Sequence, residues 1–437
     1  MKRVLFYLFY VLLPTLLSSS IAAQQNQPPQ KKDEQPIEIQ RLNEFSRIVS
    51  PKIFEAEKSG NALTVLEALR ALAIEYPAGK SFEHGMLMTF LREQTIKLGN
   101  YSDALTFADF GQQKLPDVLS AASQLKDFRP VSALDAITKA AATEQIVIVS
   151  EAHHVPQHRA LTIELLKKLK QKGFTYFAAE TLSETDAKLN ERGYPIKSSG
   201  AYIEEPLYGD IVRTALKLGY KVVPYEVGFG GGPDARERGQ AENLKNRIFS
   251  KDPQAKVLIH VGYGHNSEAI RKNGTKLMAG YLKEYTGINP LTVDQTEMSE
   301  HSAPEYEHPL YRLVAAQKYF NQPTVFQNAR QEFWVPKDSS RDITVFSPRS
   351  VYVNARPNWL TLGDERKQYL LPADVCRTEK HCLVRARLAI ESADAVPVDQ
   401  IEVRGNTKTA LMLPKGDYLI EVQNAAGKQL KSWQVKR

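Results

Sequence analysis

The sequence predicts an α/β fold, a mostly parallel sheet with helices on both faces. It is preceded by an α-helical region and followed by a small β-sandwich-like domain. Three observations carry this expectation. From about Val131 to Phe326, short apolar runs alternate with amphipathic ones. From Leu42 to about Leu125 the rhythm is i, i+3, i+4, as in Ala62, Val65, Leu66, Leu69, Leu72 and Ala73. After about Pro336 the chain breaks into short β-type runs separated by turns such as Asn424-Ala425-Ala426-Gly427. The expected organisation is a signal at 1–23, a linker at 24–41, a helical region at 42–130, the α/β domain at 131–335 and a β-rich accessory domain at 336–437.

The first residues read as an export signal. Lys2 and Arg3 are followed by an apolar run, Val4 to Leu17, interrupted by Pro14 and Thr15 and ending in small residues up to Ala23. The run is too short to span a bilayer, and nothing downstream is long and apolar enough to do so. The expectation is a periplasmic or secreted protein without a membrane span. Gln24 to about Gln40, rich in Gln, Pro and Lys, reads as a disordered linker. The net charge is +7, but Lys and Arg are spread along the chain without an aromatic-interleaved basic stripe, which argues against nucleic acid. In an exported protein Cys376 and Cys382 are expected to close a small disulfide loop.

Within the helical region, Leu98-Gly99-Asn100-Tyr101-Ser102-Asp103-Ala104-Leu105 resembles the second-helix start of a tetratricopeptide-type hairpin. One such unit is visible where arrays need about three, so the region reads as a cap on the next domain, with binding of a protein partner as the other option. Strands are expected at Gln145 to Val149, Phe174 to Ala179, Lys221 to Pro224, Val257 to His260, Leu291 to Val293 and Thr324 to Phe326. Glu151, Glu180, Glu226, His265 and Asp294 follow the first five in turn. Right-handed crossovers bring these strand ends to one edge of the sheet, where α/β proteins bind ligands. The later runs Ile343 to Phe346, Leu383 to Ile390 and Tyr418 to Val422 are expected to build the accessory domain.

Ser150 to Arg159 is the densest stretch of chemistry. It holds Glu151, His153, His154, His158 and Arg159, three of only nine histidines within six positions. Pro156 suits the first position of a helix, and the positive helix end disfavours an imidazolium, leaving a neutral base or ligand. Adjacent residues in an extended turn point opposite ways, so one of His153 and His154 faces the crevice. Glu151 and His153 share a side if the turn is extended; His154 and His158 share one if the helix starts early. His260, inside its strand, is either core or site. Glu226 is placed as site lining ahead of the glycine-rich run Gly228 to Gly232. That run lacks the lysine and spacing of a phosphate loop. Tyr202, Tyr208 and Tyr225 suit either an apolar pocket or ordinary packing, and Tyr263 is placed with the substrate-lining residues.

This order of motifs resembles the erythromycin-esterase-like and ChaN-like (haem-uptake, Tiki-related) superfamily over about residues 130 to 300. The esterase branch has Gly-Glu-x-x-His, then a Gly-Phe strand ending in Glu; here these map to Glu151, His154, Gly173-Phe174 and Glu180. Its Arg-Asp-Arg-x-Met-Ala-x-Asn-Leu helix start corresponds to Arg236-Glu237-Arg238-Gly239-Gln240-Ala241-Glu242-Asn243-Leu244, and its His-Asn strand end to His265-Asn266. The ChaN-like branch has Gly-Glu-x-His-x-x-Pro-x-His, matching Glu151, His153, Pro156 and His158. The chain departs from the esterase pattern at Ser150, Glu237 and Gln240, and at Glu268, where the family has a second His; His260 is the candidate replacement.

The resemblance implies a hydrolase acting on an ester, lactone or amide. Glu151 with His154 or His153 would activate water, Glu180 would position the base, and His265 with Arg238 would stabilise the oxyanion. His158, Arg159, Glu226, His260 and Tyr263 would bind a small-molecule, peptide or glycan substrate. No cofactor is firmly assigned. The alternatives are a haem-binding protein using His153, His158 and His265, or a metal-dependent peptidase holding a divalent ion.

Overall fold

The computed structural model describes residues 47, 49–76, 82–116, 119–228, 232–405 and 407–437. The expected signal (1–23) and linker (24–41) lie outside the described residues, as do Phe229 to Gly231.

After a helical stretch over residues 49–57 come three helices, α1 (Ala62–Glu75), α2 (Phe82–Lys97) and α3 (Tyr101–Ala108). The i, i+3, i+4 stripe of α1 buries Leu63, Val65, Leu66, Leu69 and Leu72, and the Asn61 side chain caps its start by accepting from Leu63 N. Gly99 joins α2 to α3 with φ +72°, and the Arg356 guanidinium occupies the space where a Cβ would lie. The helices pack on the rest of the chain as a cap. Leu383 belongs to their core, Arg70 pairs with Glu402, and the Tyr101 hydroxyl donates to Glu205.

The α/β part runs β1 (Arg129–Ser132), α4 (Ala133–Ala140), β2 (Ile146–Glu151), α5 (Gln157–Lys170), β3 (Tyr176–Ala179), α6 (Leu189–Arg192), α7 (Pro206–Lys217), β4 (Lys221–Pro224), α8 (Gly232–Leu244), β5 (Val257–Gly262), α9 (Met278–Thr286), β6 (Leu291–Met298), α10 (Pro309–Ala315), β7 (Thr324–Gln327) and β8 (Ile343–Phe346). These strands form an eight-stranded sheet of order β1-β7-β8-β6-β2-β5-β3-β4. The six strands from β8 to β4 are parallel; β7 and β1 close one end antiparallel. Alternation along β2 explains the helices on both faces: Val147 and Val149 share a core with Leu161, Leu165 and Ile211, while Ile146 and Ile148 share another with Ala241, Leu244 and Met278. Ile343 to Phe346, expected in the accessory domain, is instead β8 beside β6. Its four residues are all buried, as in a central parallel strand.

The C-terminal part carries β9 (Tyr352–Val353), β10 (Arg356–Pro357), β11 (Lys367–Leu370), β12 (His381–Leu388), β13 (Asp399–Arg404), β14 (Ala410–Leu413), β15 (Asp417–Asn424) and β16 (Gln429–Lys436). These make small antiparallel sheets, including β13-β12-β15-β16 and β11-β14, with Val384, Ile401, Leu411 and Ile420 in a shared core. Cys376 and Cys382 are disulfide-bonded with their Cα atoms 5.8 Å apart.

Parallel register places the candidate residues. It sets Glu151 opposite Gly262 and Ala179 opposite His260, so Glu151, Glu180 and the turn after Gly262 finish at the same edge.

Candidate functional site

Two charged clusters meet around Gly262. The first is built on Glu151, buried at the end of β2. Its Oε2 accepts from Arg159 Nε (2.6 Å), and its Oε1 from Arg159 Nη2 (2.8 Å) and His153 Nδ1 (3.0 Å). Arg159 lies two residues into α5 and turns back beneath the strand end, where Nη1 donates to Glu205 (2.8 Å) and Nη2 to the His153 carbonyl (2.9 Å). Glu205 also caps α7 by accepting from Tyr208 N. Burial works to raise the Glu151 carboxyl, but Arg159 and His260 outweigh it and hold it well below the usual range. Glu151 is therefore an ionised carboxylate aimed at His153.

The two adjacent histidines diverge. His153 gives Nδ1 to Glu151 and packs its ring at a tilt against Tyr202 (4.3 Å) and edge-on to Tyr263 (5.0 Å). A Cβ on Gly262 would lie 2.2 Å from His153 Cε1, 2.4 Å from Nε2 and 2.9 Å from Glu180 Oε2. Only glycine lets imidazole and carboxylate approach the backbone together there. His154 turns the other way, to the Tyr263 hydroxyl (3.0 Å). Burial, with Arg92, His301, His158 and His153 adding to it, holds His154 well below its usual range. The tie to Glu151 selects His153 as the crevice residue.

The second cluster joins Glu180, Glu226, Arg236, Glu237 and His265. Arg236 donates to Glu180 Oε1 (2.7 Å), to both oxygens of Glu226 (3.0 and 2.8 Å), and lies 3.1 Å from His265 Nε2. Glu237 Oε2 accepts from His265 Nδ1 (2.8 Å) and from Met278 N at the start of α9 (2.7 Å). Glu180 Oε2 accepts from Gly262 N (2.5 Å). Burial works to raise the Glu180 carboxyl, but His265, Arg236 and His153 bring it down to about 2. Burial disfavours a charged His265, yet Glu237 and Glu180 lift it above its usual range. Thr181 (φ 64°) and Tyr263 (φ 41°) directly follow Glu180 and Gly262 in the left-handed region, a strained conformation that aims both chain turns at the crevice.

The structure thus brings together Glu151, His153, Glu180, Glu226, His265 and Tyr263. Several expectations change. Arg238 is not at the site: its side chain is 53% exposed and pairs with Asp234. Two residues along a helix rotate the side chain by about 200°, so Arg236 takes the inward place instead. Arg159 and His158, expected to bind substrate, are both 0% exposed and cannot touch one. His158 Nδ1 accepts from Ala152 N (3.1 Å), and Arg159 organises Glu151 from below. His260 is also buried; its Nδ1 meets Thr162 Oγ1 (3.1 Å), and Nε2 lies 3.0 Å from Glu151 Oε2 but off the hydrogen-bonding direction. The helix after Pro156 begins at Gln157, one residue later than expected. Arg236, Glu237 and Glu205 were not singled out as site residues. Counting back from Ala241 and Leu244 in helical steps reaches Gln240, Glu237 and Arg236, so periodicity along α8 carried that signal.

The donors do not suit haem or a metal ion. His158 is closed off from any shared ligand with His153 and His265, and the crevice carboxylates are taken by Arg159 and Arg236. Among the described residues, Glu67, His381 and Glu402 do bring ligand atoms within 4.8 Å of one another. That group lies between α1 and the C-terminal sheet, where Arg70 and Arg404 already pair with Glu402.

The neutral buried histidines make a pH prediction. Burial, with Arg159 and His260 assisting and Glu151 opposing, lowers His158 to about 3. The unfolded chain therefore takes up this proton first, so stability present above about pH 6.5 is lost as pH falls towards 3. The urea midpoint of the wild type is expected to drop between pH 7.5 and 4.5. In His158→Asn, which keeps an acceptor for Ala152 N, it should drop less. An equal drop in both proteins refutes the assignment.

No protein-family model matches the chain, and no curated protein matches it. One solved structure, described as the structure of the type III effector HopBA1, is 15% identical to it. The match covers 51% of this chain and 98% of that one, with a TM-score of 0.33; a likeness that slight carries no argument.

Proposed function

We propose that the chain is an exported hydrolase, a member in fold and site of the erythromycin-esterase-like and ChaN-like superfamily, which activates water with Glu151 and His153. The observation that carries this reading is the carboxylate–imidazole pair: Glu151, fixed by Arg159, holds His153 through Nδ1, and Nε2 lies over Gly262 towards Glu180. His153 Nε2 takes a proton from water, and the water oxygen bonds to the acyl carbon. Arg236 and His265 face the developing oxyanion. The bond to the leaving alcohol or amine then breaks as His153 returns the proton. The Cys376–Cys382 bond and the absence, among the described residues, of a helix long and apolar enough to cross a membrane are compatible with export.

A panel of esters, lactones and amides tests the reading with wild type, His153→Ala and His154→Ala. Deleting the base should cost about 10²- to 10⁴-fold in kcat/KM, whereas His154→Ala should cost much less. A wild type that hydrolyses nothing, or a His153→Ala protein as active as wild type, ends it.

A further inference from the structure

Helix α2 breaks a rule of composition. Arg92 and Glu93 are buried side by side in its last turns, although Glu and Arg are seldom buried without a task or a partner. Arg92 spends Nε and Nη2 on Glu93 Oε1 (3.3 and 3.1 Å). The other oxygen, Oε2, has no partner among the described residues, yet it is not sealed from solvent. The same holds for the hydroxyl of Tyr202, a residue only 6% exposed. Electrostatics place both groups at the crevice. Burial, and after it the Glu93 carboxylate, holds the Tyr202 hydroxyl well above its ordinary range. Burial also raises the Tyr263 hydroxyl, with Arg92 opposing and Glu93 assisting. These two tyrosines are the ones packed against the His153 ring. The helical cap therefore brings a carboxylate with one unpaired oxygen to the tyrosines that flank the proposed base.

The charge of the crevice is one-sided. Glu151, Glu205, Glu180, Glu226 and Glu237 line its two clusters. The groups within ion-pair distance of them are Arg159, Arg236 and the imidazoles of His153, His260 and His265. At pH 8 an ordinary imidazole is uncharged, so five carboxylates stand against two guanidinium groups, with His265 alone lifted towards the charged form. The surplus is negative, and the Arg92–Glu93 pair, which cancels, leaves it unchanged. A water-poor crevice lined by one sign of charge draws the opposite sign.

We propose that the substrate carries an ammonium group, which seats between Glu93 Oε2 and the Tyr202 hydroxyl while the acyl carbon meets His153. The helical cap then acts as a reader of substrate. The inference rests on the proposed function for its biological sense, but ligand binding tests it separately. At pH 8 the full chain is titrated calorimetrically with hexylammonium and with 1-hexanol, its neutral counterpart. Hexylammonium should bind at least about tenfold more tightly, as a charge-assisted hydrogen bond provides. Glu93→Gln should bring the two affinities together, and Tyr202→Phe, which keeps the ring against His153, should narrow the gap; circular dichroism reports whether each variant folds. Equal binding of the two probes by wild type, or an undiminished preference in Glu93→Gln, overturns the proposal. Should Glu93→Gln not fold, an undiminished preference in Tyr202→Phe overturns it. Hydrolysis of ethyl 6-aminohexanoate and ethyl heptanoate by wild type reports on the other claim. A preference for hexylammonium without hydrolysis of either ester sinks the hydrolase and leaves the cation site standing; hydrolysis with equal binding of the two probes does the reverse.

Discussion

Arg159→Met is expected to be the most damaging single substitution in the molecule. The guanidinium is 0% exposed and holds Glu151 and Glu205 at once, the first through two hydrogen bonds and the second through one. Removing it leaves two carboxylates in the interior with their main counter-charge gone. Losing one partner of a buried pair costs about 3–5 kcal/mol, a large share of the stability of an ordinary domain. Three regions feel the loss together: α5, the cap of α7 at Glu205, and α3 through the Tyr101 hydroxyl. Chemical denaturation at neutral pH measures it. Because the penalty comes from ionised carboxylates, Arg159→Met combined with Glu205→Gln should recover part of the loss. A single variant within about 1 kcal/mol of wild type is incompatible with a buried charge network here.

Gly262→Ala is expected to lower the proposed hydrolytic activity about 10²-fold while leaving the fold in place. The added methyl would stand 2.2 Å from His153 Cε1 and 2.9 Å from Glu180 Oε2, so the imidazole, the carboxylate or both must move. Overpacking of this kind costs about 1–3 kcal/mol in stability. Its effect on rate is larger, because a misplacement of about 1 Å in a reacting group costs on the order of 10²-fold. The loss should approach that of His153→Ala, and combining the two should add little, since both would remove the base proposed above. Unchanged kcat/KM in Gly262→Ala would detach Gly262 and His153 from the chemistry. A change in KM alone would move them to substrate binding.

The sheet was largely readable because its signal is local. Ile146 to Val149, Phe177 to Ala179 and Val257 to Ile259 are apolar on both faces, as buried parallel strands are, and Lys221–Pro224 lies where it was expected. Convergence of Glu151, Glu180 and the turn carrying His265 followed from crossover handedness alone, and the parallel register realises it. β8 was misplaced because a short, mostly apolar run such as Ile343-Thr344-Val345-Phe346 reads alike in a parallel strand and in an antiparallel one; its partner β6 is some fifty residues away in the chain.

At the site the divide falls between residue type and direction. Local sequence determined that carboxylates, imidazoles and guanidinium groups would gather at the strand ends beside helix starts, because apolar runs and turn residues place the ends of elements. It did not determine that His153 rather than His154 meets Glu151, that Arg236 rather than Arg238 turns inward, or that Arg159 lies beneath the crevice instead of in it. Each of those choices depends on a partner from another element: Tyr263 for His154, Glu180 and Glu226 for Arg236, Glu205 for Arg159. A buried charge goes where its counter-charge is, and only the tertiary structure decides where that is.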